Sequence, residues 1–143
     1  VTRLSRVGYD NTLGYLDGGF DTWLTSGKDI ETLESISAEA FSKRFQEENL
    51  NVLDVRKDGE YISTHLKGNQ VQHFALDYIN DNMNAIRKDK TYYVHCAGGY
   101  RSAIAASILK ARGFNNLIDI TGGIAALQKT DVPLTDYVCP TTL

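Results

Sequence analysis

The residues best suited to chemistry stand together at His95-Cys96-Ala97-Gly98-Gly99-Tyr100-Arg101-Ser102. They fall between a β-branched and aromatic run, Thr91 to His95, and a stretch of helix-forming composition, Arg101 to Arg112. A cysteine at a strand-to-helix junction meets unpaired backbone N–H groups and the positive end of a helix dipole, and Arg101 adds a full charge. These favour the thiolate, so Cys96 is the expected nucleophile. Gly98 and Gly99 let the backbone curl with its amides inward, forming an anion-binding nest with room for a substrate. Ala97, Gly98, Gly99, Tyr100, Arg101 and Ser102 are therefore expected to cradle one large anionic atom.

Other candidates carry less chemistry. Cys139 sits beside Pro140 in a threonine-rich tail and reads as an incidental exposed thiol, with a resolving role as the alternative. His95 should point away from the loop by strand alternation, which favours a structural role. His65 is expected to pack the turn before Gly68. Tyr100 either walls the pocket or lies on the surface.

The elements that position the loop follow from the pattern on either side. Ser37 is a good N-cap, with Glu39 in the first turn and Ile36 placed to staple onto Phe41; this predicts a helix from Ala38 to about Glu48. Phe41 and Phe45 should face the core. Asn51 to Val55 reads as a short buried strand, Asp58 to Thr64 as a short helix and Gly68 as a turn. Ile79, Met83 and Ile86 share one face of a further helix. In the helix from Arg101 to Arg112, Ile104, Ile108 and Leu109 should face inward, with Gly113 as the stop. Such alternation implies an α/β fold with an open parallel sheet and helices on both faces.

The whole chain is 143 residues, 42% hydrophobic and 23% charged, enough for a proper core. Its formal charge of −3, without a block of like charges, argues against nucleic acid or an anionic membrane as partner. The longest mostly apolar stretch, Ile104 to Leu109, is far shorter than a bilayer span, and no apolar signal core opens the chain; a cytoplasmic protein is expected. Two cysteines are too few for a disulfide framework, and the three histidines do not fall into metal-ligand spacings, so no metal is expected.

Gly113-Phe114-Asn115-Asn116 through Gly122-Gly123-Ile124 resembles Gly8-Tyr9-Asp10-Asn11 through Gly18-Gly19-Phe20, with the second glycine pair displaced by one residue. A repeat of domain size is expected: residues 1–31 as the remnant of a preceding copy and 32–143 as a complete domain, the alternative being chance recurrence of turn residues. Leu16, Phe20 and Trp23 should then dock on the intact domain or on a neighbouring chain, giving a possible homo-oligomer through residues 1–31.

The series Cys96-x-x-Gly99-x-Arg101-Ser102 after a strand resembles the active-site loop of single-domain rhodaneses, the sulfurtransferases. Asp54-Val55-Arg56, Glu60-Tyr61, His65-Leu66 and Gly68 resemble the family's first signature in order and spacing, with Thr64 where Gly is usual and Asn69 where Ala is usual. Gly122-Gly123-Ile124 is similar to its closing turn, so the likeness covers roughly residues 35 to 130. Gly8 to Trp23, with Leu16-Asp17-Gly18-Gly19-Phe20-Asp21-Thr22-Trp23, is similar to that same turn and helix of another copy.

The resemblance implies a rhodanese-like sheet of about five strands. It also implies a ping-pong cycle through a Cys96 persulfide, with a small-molecule sulfur donor, a thiol or cyanide acceptor and no cofactor. Asp54, Arg56 and Glu60 would be supporting residues, Arg56 and Glu60 as a structural ion pair. Arg101 would either orient an anionic donor or close the loop through Asp54 or Glu60, and closure is favoured. With no second charge in the loop, a persulfide or polysulfide donor is expected over thiosulfate.

A rhodanese tail followed by an intact rhodanese is also similar to the C-terminal half of fusions with a metallo-β-lactamase-like domain related to persulfide dioxygenases. Missing N-terminal domains would then be partners, and the module could be catalytically weak in their service. The competing enzyme class is a cysteine phosphatase or arsenate reductase. Phosphatases, however, place one residue more between Cys and Arg than the four found here.

Overall fold

Tyr92-Tyr93-Val94-His95 puts apolar or aromatic groups on both sides of an extended chain, and all four residues are buried. A strand covered on both faces belongs inside a parallel sheet. The computed structural model describes residues 11–139, so Gly8 to Asp10 of the expected repeat, and Pro140 beside Cys139, lie outside the described residues. Its strands are β1 (Glu34–Ile36), β2 (Asn51–Asp54), β3 (Val71–His73), β4 (Tyr92–His95) and β5 (Leu117–Ile120). They form one five-stranded parallel sheet in the order β1-β5-β4-β2-β3.

Period-two alternation sends successive side chains to two cores. Val52, Tyr93, Ile118 and Ile120 pack with Ala38 and Phe41 of α2 (Ala38–Glu47) and with Ile124 and Leu127 of α6 (Gly123–Leu127). Leu53, Val55, Val94 and Cys96 pack on the other face with Ala105, Ala106 and Leu109 of α5 (Tyr100–Ala111). The helix α2 starts where its cap residue predicts, with the Ala40 N–H donating to Ser37 Oγ at 3.2 Å. The short helix α3 (Asp58–Ser63) follows β2.

Two local expectations are corrected. Ile79, Met83 and Ile86 do not share one helix: a 3₁₀ turn at Leu76–Tyr78, a four-residue helix α4 (Ile79–Asn82) and a second 3₁₀ turn at Met83–Ala85 replace it, and Ile86 is extended. The segment is rich in Asn and Asp, whose side chains compete with the helical backbone for hydrogen bonds. Ile104 does not face inward; it is 37% exposed, because the buried stripe of α5 is Ser102, Ala105, Ala106 and Leu109. Small residues at that stripe let the helix lie close to the sheet.

Residues 1–32 and 33–143 form two compact units. The described part of the first holds α1 (Gly19–Thr25), opened by Gly18 and Gly19 at φ +73° and +60°. In the second unit, Gly122 and Gly123 open α6 at φ +79° and +56°, the same pair of left-handed conformations. Among the described residues, no helix is long and apolar enough to cross a membrane, and no cluster of His, Cys, Asp or Glu could hold a metal ion.

Candidate active site

From β2 the chain runs to β3 at one edge of the sheet, whereas from β4 it runs to β5 in the opposite direction. The crevice beyond the carboxyl ends of β2 and β4 is a topological switch point, the usual ligand site of open parallel sheets. Cys96 is the first residue past β4 and only 1% exposed. The Gly99 N–H donates to its Sγ at 3.1 Å, and the Ser102 Oγ lies 3.7 Å from Sγ while donating to the Gly99 carbonyl at 3.0 Å. Gly99 holds φ +106°, a conformation that L side chains rarely adopt. Burial pushes the Cys96 thiol up. The backbone N–H and hydroxyl of Ser102, with the backbone N–H groups of Gly99 and Gly98, outweigh it and bring the thiol below its ordinary value.

Arg101 turns its guanidinium to Glu60, with Nη1 to Oε2 at 2.6 Å and Nη2 to Oε1 at 2.8 Å. Glu60 rides on α3 after β2 and Arg101 on α5 after β4, so this fork-to-fork pair spans the crevice. Hydrogen bonds from Arg101 hold the Glu60 carboxyl below the usual carboxylate range, against the opposing effect of burial.

The expected ion pair between Arg56 and Glu60 is corrected. Arg56, only 3% exposed, instead holds the fully buried Asp54, with Nε to Oδ1 at 2.8 Å and Nη2 to Oδ2 at 2.6 Å. Its Nη2 also donates to the Thr64 carbonyl at 2.7 Å. A buried carboxylate needs its counter-charge within reach, and Arg56, two residues on, bends back to supply it.

His95 lies on the opposite sheet face from Cys96 and is fully buried. Its Nδ1 is 3.3 Å from the Cys96 carbonyl and its Nε2, 3.7 Å from Asp54 Oδ2, has no hydrogen-bond partner among the described residues. Burial holds its pKa below the usual histidine value despite Asp54. His65 bonds the Tyr61 carbonyl through Nδ1 at 2.8 Å and stacks on the Tyr61 ring at 3.9 Å between centroids. Thr64 is extended at φ −166°, which any residue adopts, so the family's glycine is not needed there. Tyr100 is 69% exposed and stands at the rim; Ala97 is half-buried and Gly98 exposed at the mouth. Cys139 is exposed.

One part of the site was missed by sequence reasoning beyond its family likeness. The turn Gly122-Gly123 packs on the cysteine loop, where the Ile124 N–H donates to the Cys96 carbonyl at 2.8 Å and the Ala125 N–H to the Ala97 carbonyl at 3.2 Å. The signal was the glycine pair itself, since paired left-handed glycines mark a backbone that must approach another closely.

Comparison with known proteins shows a family likeness over most of the second unit. A family model described as "Rhodanese-like domain" matches residues 37–130. The "Putative sulfur carrier protein YrkF" of Bacillus subtilis is 33% identical over 100 residues, covering 69% of this chain and 53% of that protein. The "Probable adenylyltransferase/sulfurtransferase MoeZ" of Mycobacterium tuberculosis is 31% identical over 84 residues, covering 59% of this chain and 21% of that protein. The chain thus spans about half or less of the length of these curated relatives. The crystal structure of a rhodanese-like domain protein from Staphylococcus aureus superposes with a TM-score of 0.61 at 30% identity, covering 66% of this chain and 91% of that one.

Proposed function

The chain belongs to the rhodanese-like domain family, whose members here include sulfur-carrier and sulfurtransferase relatives, and from that premise we propose that it moves sulfane sulfur through a persulfide on Cys96. The observation that carries this reading is the sulfur itself: buried at the end of the central strand, met by the Gly99 N–H at 3.1 Å and with its thiol lowered by further backbone donors. In the first half-reaction the Cys96 thiolate attacks the outer sulfur of a donor R–S–SH. The donor's S–S bond breaks, RS⁻ leaves, and the new S–S bond leaves the sulfur on Cys96. In the second, an acceptor thiolate or cyanide attacks that outer sulfur and Cys96 departs as the thiolate. No electrons are gained or lost overall, and the cycle uses no cofactor. The backbone donors that favour the thiolate also favour the persulfide anion.

The electrostatics support a persulfide or polysulfide donor over thiosulfate. Arg101 is the one cationic residue in the loop, and its guanidinium is committed to Glu60 at 2.6 and 2.8 Å, so a dianion finds no uncommitted loop charge. The same commitment counts against phosphate chemistry, which needs an arginine fork turned to the oxyanion. Fusion to a metallo-β-lactamase-like domain remains part of this proposal and rests on the sequence of residues 8–23; sequencing the surrounding gene tests it.

Intact mass after incubation with glutathione persulfide tests the core of the proposal. One added sulfur per chain, removed by excess thiol and absent in Cys96→Ser, is the expected result; no adduct from any sulfane donor overturns it. An adduct that forms but never turns over points to a module serving a fused partner. A kcat/KM for thiosulfate well above that for glutathione persulfide overturns the donor assignment.

A further inference from the structure

The cradle needs its N–H groups aimed at sulfur, and the structure shows what aims them. In a trans peptide the C=O of one residue and the N–H of the next point in opposite directions. Fixing the Cys96 carbonyl therefore orients the Ala97 N–H, and fixing the Ala97 carbonyl orients the Gly98 N–H. Both carbonyls are held from outside the loop, by the Ile124 N–H at 2.8 Å and the Ala125 N–H at 3.2 Å. These donors have no acceptor within α6; the first N–H to bond back is that of Ala126, to the Gly122 carbonyl at 3.3 Å. His95 Nδ1, at 3.3 Å, adds a second neighbour to the Cys96 carbonyl.

The approach is possible only with glycine at position 123. A Cβ there would collide with the Cys96 carbonyl oxygen and lie 2.9 Å from the carbonyl carbon and oxygen of Ala97, and φ is +56°. Gly99 closes the same contact from the loop side, its own Cβ position being 4.0 Å from the Gly122 nitrogen.

We propose that the Gly122-Gly123 turn, with the N–H groups of Ile124 and Ala125, is a positioning element for sulfur transfer: it pins two carbonyls, fixing the peptide planes that follow Cys96 and Ala97, and thereby holds the Gly98 N–H at the Cys96 sulfur. The proposal rests on the Cys96 persulfide reading for its purpose, but its test does not require sulfur to be transferred. Ala125 is exposed and in the first turn of α6, where proline is tolerated, so Ala125→Pro replaces the donor to the Ala97 carbonyl by a ring Cδ and breaks that pin while leaving the side chains of the core in place.

In folded Ala125→Pro, alkylation of Cys96 by iodoacetamide near neutral pH slows about tenfold as the midpoint of its pH profile moves up by roughly one unit. Ala125→Ser, which keeps the N–H, retains the parental profile. A parental profile in folded Ala125→Pro overturns the proposal. If that variant does not fold, amide exchange in the unaltered protein decides. Loading Cys96 with sulfur then slows exchange at Ile124 and Ala125 several-fold, because an anion held by one end of a peptide plane strengthens the bond at the other. Unchanged exchange overturns the proposal. Slowed alkylation in a protein that never carries sulfur leaves the positioning role standing and removes the transfer reading.

Discussion

The molecule contains the same turn twice. Gly18-Gly19 and Gly122-Gly123 adopt matching left-handed pairs, φ +73° and +60° against +79° and +56°, and each opens a short helix. Their surroundings part at the second glycine of each pair. Among the described residues, a Cβ on Gly19 meets nothing within 4 Å, and α1 contains no buried residue. A Cβ on Gly123 would run into the backbone of the cysteine loop, and α6 buries Ile124 and Leu127. Glycine pairing thus sets the turn locally, whereas its use depends on what the fold places against it.

Substitutions can break or sharpen this contrast, and the largest effect should come from the foundation of the second unit. Arg56→Met strips the counter-charge from fully buried Asp54 and frees the Thr64 carbonyl that Arg56 also holds. A loss of about 3–5 kcal/mol of unfolding free energy is expected from urea denaturation. Next, Gly123→Ala displaces the loop and lowers kcat/KM for sulfur transfer about 100-fold, the scale of an ångström-sized misplacement.

Glu60→Gln comes third. It weakens the bridge from α3 to α5 at a half-exposed pair, so stability changes by no more than about 1 kcal/mol while kcat/KM falls about tenfold. Acidification should act on the same pair. Because the folded-state pKa of Glu60 is depressed, the pair's contribution is present above the unfolded carboxylate value and is lost as pH falls through the lower, folded value. Following the Glu60 carboxyl by NMR should show that late midpoint, moved back toward the ordinary range in Arg101→Leu. The smallest effect belongs to Gly19→Ala: about 1 kcal/mol of left-handed strain, seen as faster amide exchange in α1, with Cys96 alkylation unchanged. Equal responses of Cys96 to Gly19→Ala and Gly123→Ala would erase the distinction.

Much of the site was legible because the chemistry is local. Cys96, Gly98, Gly99 and Ser102 sit within seven residues, and the N–H groups that hold the sulfur belong to the same segment. The alternating strands and helices were equally readable, since buried β-branched runs and helix caps are short-range signals. Spacing in sequence misled for the ion pairs. Arg56 and Glu60 are four apart, yet each chose another partner, because Asp54 is buried where only Arg56 reaches it and Arg101 arrives beside Glu60 from the far side of the crevice. Ile104 misled similarly: helical periodicity does not say which stripe meets the sheet, and the small residues of α5 took that place.

The amino-acid sequence by itself determined the cysteine loop, the glycines within it and the order of strands and helices along the chain, since each depends on neighbours along the chain and on backbone conformations that those residues prefer. Only the tertiary structure decided which carboxylate closes on Arg101, which arginine neutralises Asp54, and that the Ile124 N–H, just past the Gly122-Gly123 turn, grips the Cys96 carbonyl. Those contacts join segments distant in sequence. Their partners are chosen by burial and reach across the sheet, which no local pattern records.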